Sequence, residues 1–199
     1  MLIGIIGGIG CGKSSLARHL AEAHGFEEVY FATKLKDAAL DIFGLEHRHV
    51  YGTQAEKMEP LDGLSGQPLV VGPTGNPQTG RSICEHFGTE GCRAIDPEVW
   101  IKALMREVDG KAQRMRSRGR EARFVIGDLR FPNEAQAVWQ RSGQIWRVDV
   151  VGEEPMRTGH ESDEAWRRIE PDVALAATRG DLPGLFALAD EALADLAAA

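Results

Sequence analysis

Residues 2–15 of the chain read LIGIIGGIGCGKSS, and this stretch decides the fold. The apolar, β-branched run over 2–6 is typical of a buried strand. Apolar residues follow at helical spacing within 16–21, and Gly25 stands where a helix C-cap glycine is common. We therefore predict a strand, a glycine-rich loop and a helix over 15–24, in direct succession.

Residues 7–14 match the phosphate-binding template G-x-x-x-x-G-K-[ST] at every fixed position. Glycines let consecutive N–H groups point into one concavity, and the helix N-terminus adds its positive end. In this template the ammonium of Lys13 reaches the β- and γ-phosphates, and the Ser14 hydroxyl binds Mg²⁺. The pattern predicts a site for a nucleoside triphosphate with Mg²⁺, because a purely structural glycine turn would not require Lys and Ser at those two places.

The bulk composition is that of an ordinary globular domain. The chain has 199 residues, 43% of them hydrophobic and 27% charged, which suits one domain with a full core. The net charge of −7 argues against a nucleic-acid polymer as partner. No apolar stretch has transmembrane length, and three cysteines without Cys-x-x-Cys spacing favour a reducing, cytoplasmic setting. A monomer and a homodimer both remain open.

The rest of the sequence alternates helix-like and strand-like segments, which is typical of a parallel sheet wrapped by helices. Counting 2–6, about five strands are predicted, the others at 29–31, 124–127, 145–151 and 173–176. Helices are predicted at 35–43, 82–87, 97–116, 132–142, around Trp166 and from 181 onward. Residues 45–80, rich in Gly, Pro, Gln and Thr, interrupt this rhythm, and we interpret them as a mobile substrate-side insertion.

Three charged residues follow the strand at 124–127. Asp128 stands where an acid that orients Mg²⁺ is found in phosphate-loop proteins, although an N-cap or turn aspartate fits the same place. Arg130 and Glu134 lie at the carboxyl edge of the sheet, where ligands bind in open α/β folds. Arg130 is a candidate phosphate ligand oriented by Glu134, while Glu134 is also typical of an acid in a first helical turn.

Two arginines, Arg81 and Arg93, flank residues 88–91, which we predict to form a turn. A pair of converging guanidinium groups would bind a dianionic monophosphate well, because their planar fork matches phosphate geometry. The alternative is that both are ordinary solvated surface residues.

Two other charged or histidine-containing stretches point to less specific roles. Residues 111–123 hold six basic side chains without interleaved aromatics, so a solvated face is favoured over a nucleic-acid patch. His47-Arg48-His49 lacks a second Cys/His cluster that would complete a metal site.

Several longer motifs resemble those of a known protein family, and the resemblance covers most of the chain outside 45–75. They are FATKLK at 31–36, GR at 80–81, FGTEGCR at 87–93, PEVW at 97–100, VIGDLRFPNE at 125–134 and HESD at 160–163. With these residues the chain resembles the deoxynucleoside monophosphate kinases of the bacteriophage type, within the P-loop nucleoside monophosphate kinase superfamily.

The resemblance implies an α/β P-loop kinase fold as one domain over 1–199, and transfer of the ATP γ-phosphate to a deoxynucleoside monophosphate with Mg²⁺ bridging the donor phosphates. Donor-binding residues implied by it are Gly8, Gly10, Cys11, Gly12, Lys13, Ser14 and Ser15. Acceptor-binding residues implied by it are Lys36, Arg81, Arg93, Trp100, Arg130 and Glu134. Catalytic roles would fall to Lys13, Asp128, Arg130 and Arg157. Arg157, together with Arg167, would belong to a lid over 152–168 that closes on ATP.

The chain departs from the family pattern at several positions. Thr33 stands where members often carry an acid, and Gly80 replaces a common proline. The loop over 176–180 lacks an asparagine often found there, so base contacts are expected through its backbone. A kinase resembling dephospho-coenzyme A kinase, or a nucleotide-dependent switch without phosphoryl transfer, remains an alternative. Which base the acceptor carries is not readable from the sequence.

Overall fold

The computed structural model describes residues 1–61, 77–155 and 164–198. They fall into two compact units. The first unit combines Met1–Phe31 with Leu104–Ala199, and the second comprises Ala32–Ala103.

The first unit contains a five-stranded parallel sheet with the order β2-β3-β1-β4-β5, which confirms the predicted fold class. The strands are β1 (Leu2–Gly7), β2 (Glu27–Val29), β3 (Phe124–Ile126), β4 (Gln144–Val150) and β5 (Val173–Ala177). β1 is the central strand, and it pairs with β3 through Gly4 opposite Ile126 and with β4 through Gly7 opposite Val148. All carboxyl ends therefore lie at one edge, where the phosphate loop begins.

Burial explains why β1 occupies the centre of the sheet. Its residues are apolar on both faces, and Ile3, Ile5 and Ile6 have no exposed surface. Such a strand is stable only with helices covering both sides. Trp146 on β4 is also fully buried and joins Leu16 and Leu20 in the main core cluster.

The helices follow the alternating pattern that the sequence predicts. They are α1 (Lys13–His24), α2 (Phe31–Phe43), α3 (His47–Tyr51), α4 (Gln54–Lys57), α5 (Gly80–Glu85), a π-helical segment (His86–Cys92), α6 (Arg93–Ile95), α7 (Val99–Arg116), α8 (Pro132–Trp139), a 3₁₀ helix (Ala165–Arg168) and α9 (Leu182–Ala198). None of these helices, within the described residues, combines the length and apolar character needed to span a membrane.

Two predicted boundaries at the sheet were wrong. The second strand ends at Val29 instead of residue 31, because the Phe31 N–H donates to the Asp128 carboxylate at 3.0 Å and the chain turns there into α2. α8 ends at Trp139 and not at residue 142, since Ser142 adopts a positive φ of 53° and the Gly143 N–H donates to the Val138 carbonyl.

The segment over 45–80 has more secondary structure than its composition indicates. It contains α3 and α4, and Leu45, Val50 and Leu61 pack with Ile83 in the core cluster of the second unit. Residues 62–76 lie outside the described part of the chain, so the expected mobility of the segment stays a prediction.

The predicted turn over 88–91 was also wrong, because these residues continue the helix. A π-helical segment joins α5 to α6, and the Arg93 N–H donates to the Gly88 carbonyl five residues earlier. Gly88 is close-packed: a Cβ there would lie 2.7 Å from Leu35 Cδ2. The glycine thus serves close packing of a helix instead of a turn, a use that composition does not distinguish.

We predict opposite effects for two glycine-to-alanine substitutions in the first unit. At Gly143 a Cβ would lie 2.8 Å from the Leu2 carbonyl oxygen and 2.7 Å from Val138 Cγ1, so Gly143→Ala should destabilise the fold by about 1–3 kcal/mol. Gly110, inside α7, has its nearest neighbour at 3.5 Å, so Gly110→Ala should be stabilising by roughly 0.5–1 kcal/mol. Urea unfolding of both variants measures this, and equal free energies of unfolding would contradict it.

Candidate functional site

The phosphate loop owes its shape to three glycines with positive φ. Gly7, Gly10 and Gly12 have φ values of 144°, 72° and 105°, a region that side chains rarely adopt. α1 then begins at Lys13, and the Leu16 N–H donates to the Gly12 carbonyl at 2.9 Å. The first backbone N–H groups of a helix have no intrahelical acceptor, so the loop and the start of α1 together present donors for an anion.

Lys13 lies back over this loop. Its Nζ donates to the Gly7 carbonyl at 2.9 Å and to the Gly8 carbonyl at 2.5 Å, and it is 3.8 Å from Cys11 Sγ. Ser14 is exposed and Ser15 is half-buried, both in the first turn of α1. The loop and the first turn of α1 therefore carry residues 8–15, which the sequence assigns to the triphosphate.

Pro155 packs against the loop from the segment that follows β4. A Cβ at Gly8 would lie 2.8 Å from Pro155 Cβ, so this position tolerates no side chain without displacement. Arg167 Nη2 donates to the Pro155 carbonyl at 2.9 Å, and its guanidinium lies 5.0 Å from the centre of the Trp166 ring. Its Nε is buried without a hydrogen-bond partner among the described residues. Arg157 and the rest of 156–163 lie outside them.

A cavity of about 430 Å³ adjoins the loop in the first unit. Its walls are the loop residues 8–11, residues 148–150 at the end of β4, residues 153–155, and Arg179. The cavity therefore lies at the carboxyl edge of the sheet, directly beside the phosphate loop.

Arg179 lines this cavity, and the sequence did not single it out as a site residue. Its Nε lies 2.9 Å from both Glu153 carboxylate oxygens, its Nη2 lies 2.6 Å from one of them, and its Nη1 lies 3.4 Å from the Gly10 carbonyl. The hydrogen bond from Arg179 lowers the pKa of Glu153. The signal available in the sequence was its place directly after the last strand, where backbone contacts alone were expected.

Asp128 follows β3, as predicted. Its Oδ1 accepts the 3.0 Å hydrogen bond from Phe31, the first residue of α2, and the residue is half-buried. The carboxylate therefore holds the first N–H of α2, and its role toward Mg²⁺ stays a prediction. This bond also fixes the orientation of the carboxylate at the sheet edge.

Glu134 is the one charged residue that is fully buried among the described residues, with 3% of its surface exposed. Its Oε2 accepts hydrogen bonds from the backbone N–H groups of Arg130 at 2.8 Å and Phe131 at 3.0 Å. Glu134 thus holds the backbone that carries Arg130, whose side chain is exposed. This is positioning through the main chain.

In the second unit, Trp100 and Lys36 each contact an aromatic or backbone neighbour. The buried Trp100 donates from Nε1 to the Gly88 carbonyl at 3.2 Å. Lys36 Nζ lies 4.8 Å from the centre of the Tyr51 ring, and the Tyr51 hydroxyl donates to Asp37 at 2.6 Å. Burial raises the pKa of Tyr51, so its hydroxyl stays protonated as a donor.

Arg81 and Arg93 belong to the same helical segment of this unit. In an uninterrupted α-helix, at about 100° per residue, they would point roughly 120° apart. The wider π-helical turns, at roughly 80° per residue, bring that angle to within about 30°. With these ideal angles the two arginines would lie on one face of the segment. Arg81 Nε donates to Glu85 Oε1 at 2.8 Å with its side chain half exposed, and Arg93 is half-buried.

Comparison with known proteins gives one curated relative and several similar solved structures. The relative, from Acanthamoeba polyphaga mimivirus and named "Putative deoxynucleotide monophosphate kinase", is 30% identical over 156 residues, which are 76% of this chain and 75% of the relative. No family model matches the chain.

Among solved structures, TT1252 from Thermus thermophilus is 20% identical, with a TM-score of 0.50 over 98% of this chain and 97% of that one. The dephospho-CoA kinase from Campylobacter jejuni is 14% identical, with a TM-score of 0.49 over 98% of this chain and 96% of that one. The likeness to TT1252 concerns the fold alone. The sequence similarity to the mimivirus protein is more specific, and on that basis the chain belongs to the deoxynucleotide monophosphate kinase family.

Proposed function

We propose that the protein transfers the γ-phosphoryl group of ATP to a deoxynucleoside monophosphate. An oxygen of the acceptor phosphate forms the new bond to the γ-phosphorus, and the bond to the β–γ bridging oxygen breaks, so that ADP and a deoxynucleoside diphosphate leave. The observation that carries the proposal is the loop of three left-handed glycines ending in Lys13 at the start of α1. In this proposal the substrates are ATP and a deoxynucleotide, and the activity is placed in the cytoplasm.

The donor phosphates bind the loop in this proposal. Backbone N–H groups from Gly8 through Ser15 surround them, with those of Gly10, Cys11, Gly12 and Ser14 contributing along the loop. Lys13 exchanges its bonds to two loop carbonyls for bonds to the β- and γ-phosphate oxygens. Since the transition state spreads negative charge over the γ-phosphoryl oxygens, this ammonium is catalytic as well as binding.

Ser14 and Asp128 are the residues that would hold Mg²⁺. A hydroxyl and a carboxylate are the hard oxygen donors that Mg²⁺ prefers, and they follow β1 and β3, which are neighbours in the sheet. The Phe31 hydrogen bond already orients the carboxylate. A Mg²⁺ ion held by these two residues would neutralise negative charge on the donor phosphates.

The donor base occupies the cavity beside the loop. Its volume of about 430 Å³ falls within the usual range for small-molecule sites. Arg179, held in one orientation by Glu153, offers a planar guanidinium on which a purine stacks. In this proposal Arg157, which lies outside the described residues, belongs to a lid over 152–168 that would cover the nucleotide and exclude water.

The acceptor phosphate is held by arginines. In this proposal Arg81, Arg93 and Arg130 are the phosphate ligands. Arg81 is paired with Glu85, and Glu134 holds the backbone of Arg130. Trp100 and Lys36 complete the acceptor site in this proposal. Thr33 in place of an acid is compatible with transfer, because a phosphate monoester carries a charge of about −1.5 to −2 at neutral pH and needs little help from a base.

The test of the proposal is an assay of ADP release with Mg-ATP and a panel of acceptors. We expect turnover with one or more of dAMP, dGMP, dCMP and dTMP, and Lys13→Met should lower kcat by about 100-fold or more, because it removes the ammonium but keeps the chain length. Lys102→Met is the matched control, since Lys102 is an exposed lysine paired with Asp96.

Other outcomes of that assay would contradict the proposal. Turnover with dephospho-coenzyme A alone would identify the other kinase reaction. ADP release that does not depend on any acceptor would indicate a switch or hydrolase, and a fully active Lys13→Met variant would remove the role of the loop.

For the acceptor arginines, Arg81→Ala and Arg93→Ala should each raise the acceptor KM by about 10-fold, because each removes a charge-assisted hydrogen bond. The ATP KM should stay near its wild-type value. Arg118→Ala, a substitution of an exposed arginine after α7, is the control. Unchanged acceptor kinetics in both variants would mean that these arginines are surface residues.

For a substitution in the donor cavity we expect the ATP KM to change and the acceptor KM to stay the same. Arg179→Ala should raise the ATP KM by about 3- to 10-fold through loss of stacking, and leave the acceptor KM unchanged. Steady-state kinetics with each substrate varied in turn measures both constants, with Arg114→Ala as an exposed control. An effect on the acceptor KM alone would move the donor base out of this cavity.

A further inference from the structure

A cluster of two histidines and one aspartate lies on the first unit, where α1 contacts α9. His19 Nε2 and His24 Nε2 both lie 2.7 Å from the same oxygen, Oδ1 of Asp190. The ligand atoms of the three side chains all fall within 4.8 Å of one another. His19 and His24 belong to α1, and Asp190 lies 171 positions after His19, so the fold brings the carboxylate to the two histidines.

The arrangement of the three side chains is ordered. The His19 ring stacks on Phe186 of α9 with centroids 4.2 Å apart and planes within 1°, and it meets the His24 ring edge-on at 5.5 Å. Phe186 therefore limits rotation of one imidazole, and the two imidazoles limit each other. Preorganised ligands lose less entropy on binding a cation.

The charges around the cluster also favour a cation. His24 is the last residue of α1, so the site lies at the negative end of that helix. A cation bound between the two Nε2 atoms and Asp190 Oδ1 would replace these two hydrogen bonds.

We propose that His19, His24 and Asp190 form a Zn²⁺ site. Two imidazole nitrogens and a carboxylate oxygen are a typical ligand set for zinc, and a water molecule supplies the fourth ligand. The Asp190 side chain is 48% exposed, which gives the cation and that water access. Mg²⁺ is not the expected occupant, because it prefers oxygen ligands.

Zinc bound there would tie the end of α1 to α9. The same two helices meet near the phosphate loop, where a Cβ at Gly12 would lie 3.0 Å from Leu185 Cδ2, and Leu185 shares a core cluster with Leu16. The site therefore stabilises the packing behind the loop. It does not depend on the proposed kinase activity.

The experiment is a titration of the full chain, free of nucleotide, with Zn²⁺ by calorimetry, together with thermal unfolding. We expect one Zn²⁺ per chain and a higher Tm with zinc, since the ions bind the native state. His24→Gln and Asp190→Asn should each weaken binding by at least about 10-fold and abolish the rise in Tm. His86→Gln is the matched control, an exposed histidine paired with Glu90 in the second unit.

Cobalt replaces zinc in a second measurement that needs no variant. The visible spectrum of bound Co²⁺ should show four-coordinate ligation without the thiolate charge-transfer band that cysteine ligands give. A thiolate band, the same zinc affinity in His24→Gln and Asp190→Asn as in the wild type, or no binding up to millimolar Zn²⁺ would each overturn the proposal.

Discussion

The central strand β1 must pass directly into α1 through a loop that only glycine can form, and much of the first unit is arranged around this constraint. Gly7, Gly10 and Gly12 in this loop all have positive φ. Because β1 is buried on both faces between β3 and β4, the loop emerges at the middle of the sheet edge. The segments that follow the neighbouring strands therefore begin beside this loop.

Carboxylates at this edge act first on the backbone. Asp128 holds the N–H that begins α2, and the buried Glu134 holds the two N–H groups that precede α8. An ionised carboxylate that accepts backbone N–H bonds costs less to bury than an unpaired one, and it fixes the loop on which a neighbouring functional residue stands. Glu153 does the same for a side chain, the guanidinium of Arg179.

The structural features that depend on local sequence pattern could be predicted from the sequence. The glycine loop, α1 with its Gly25 cap, and five parallel strands followed from residue spacing, and the positions of Lys13 and Ser14 followed from the motif. The sequence was insufficient where contacts between distant residues determine the structure. Gly88 was predicted to lie in a turn because its close contact with Leu35 is a tertiary contact that the local sequence does not reveal. The position of Arg179 in the cavity wall depends on its ion pair with Glu153. His19 and Asp190 lie 171 positions apart, beyond any local pattern.

The contact between Gly8 and Pro155 has a consequence for how relatives of this chain evolve. The phosphate-binding template leaves position 8 unrestricted, yet here the ring that packs on it leaves no room for a methyl group. Two positions 147 residues apart are thus coupled by volume. In relatives where residue 8 acquires a side chain, we expect the residue aligned with Pro155 to become smaller or the segment that carries it to change in length, so that the two positions covary.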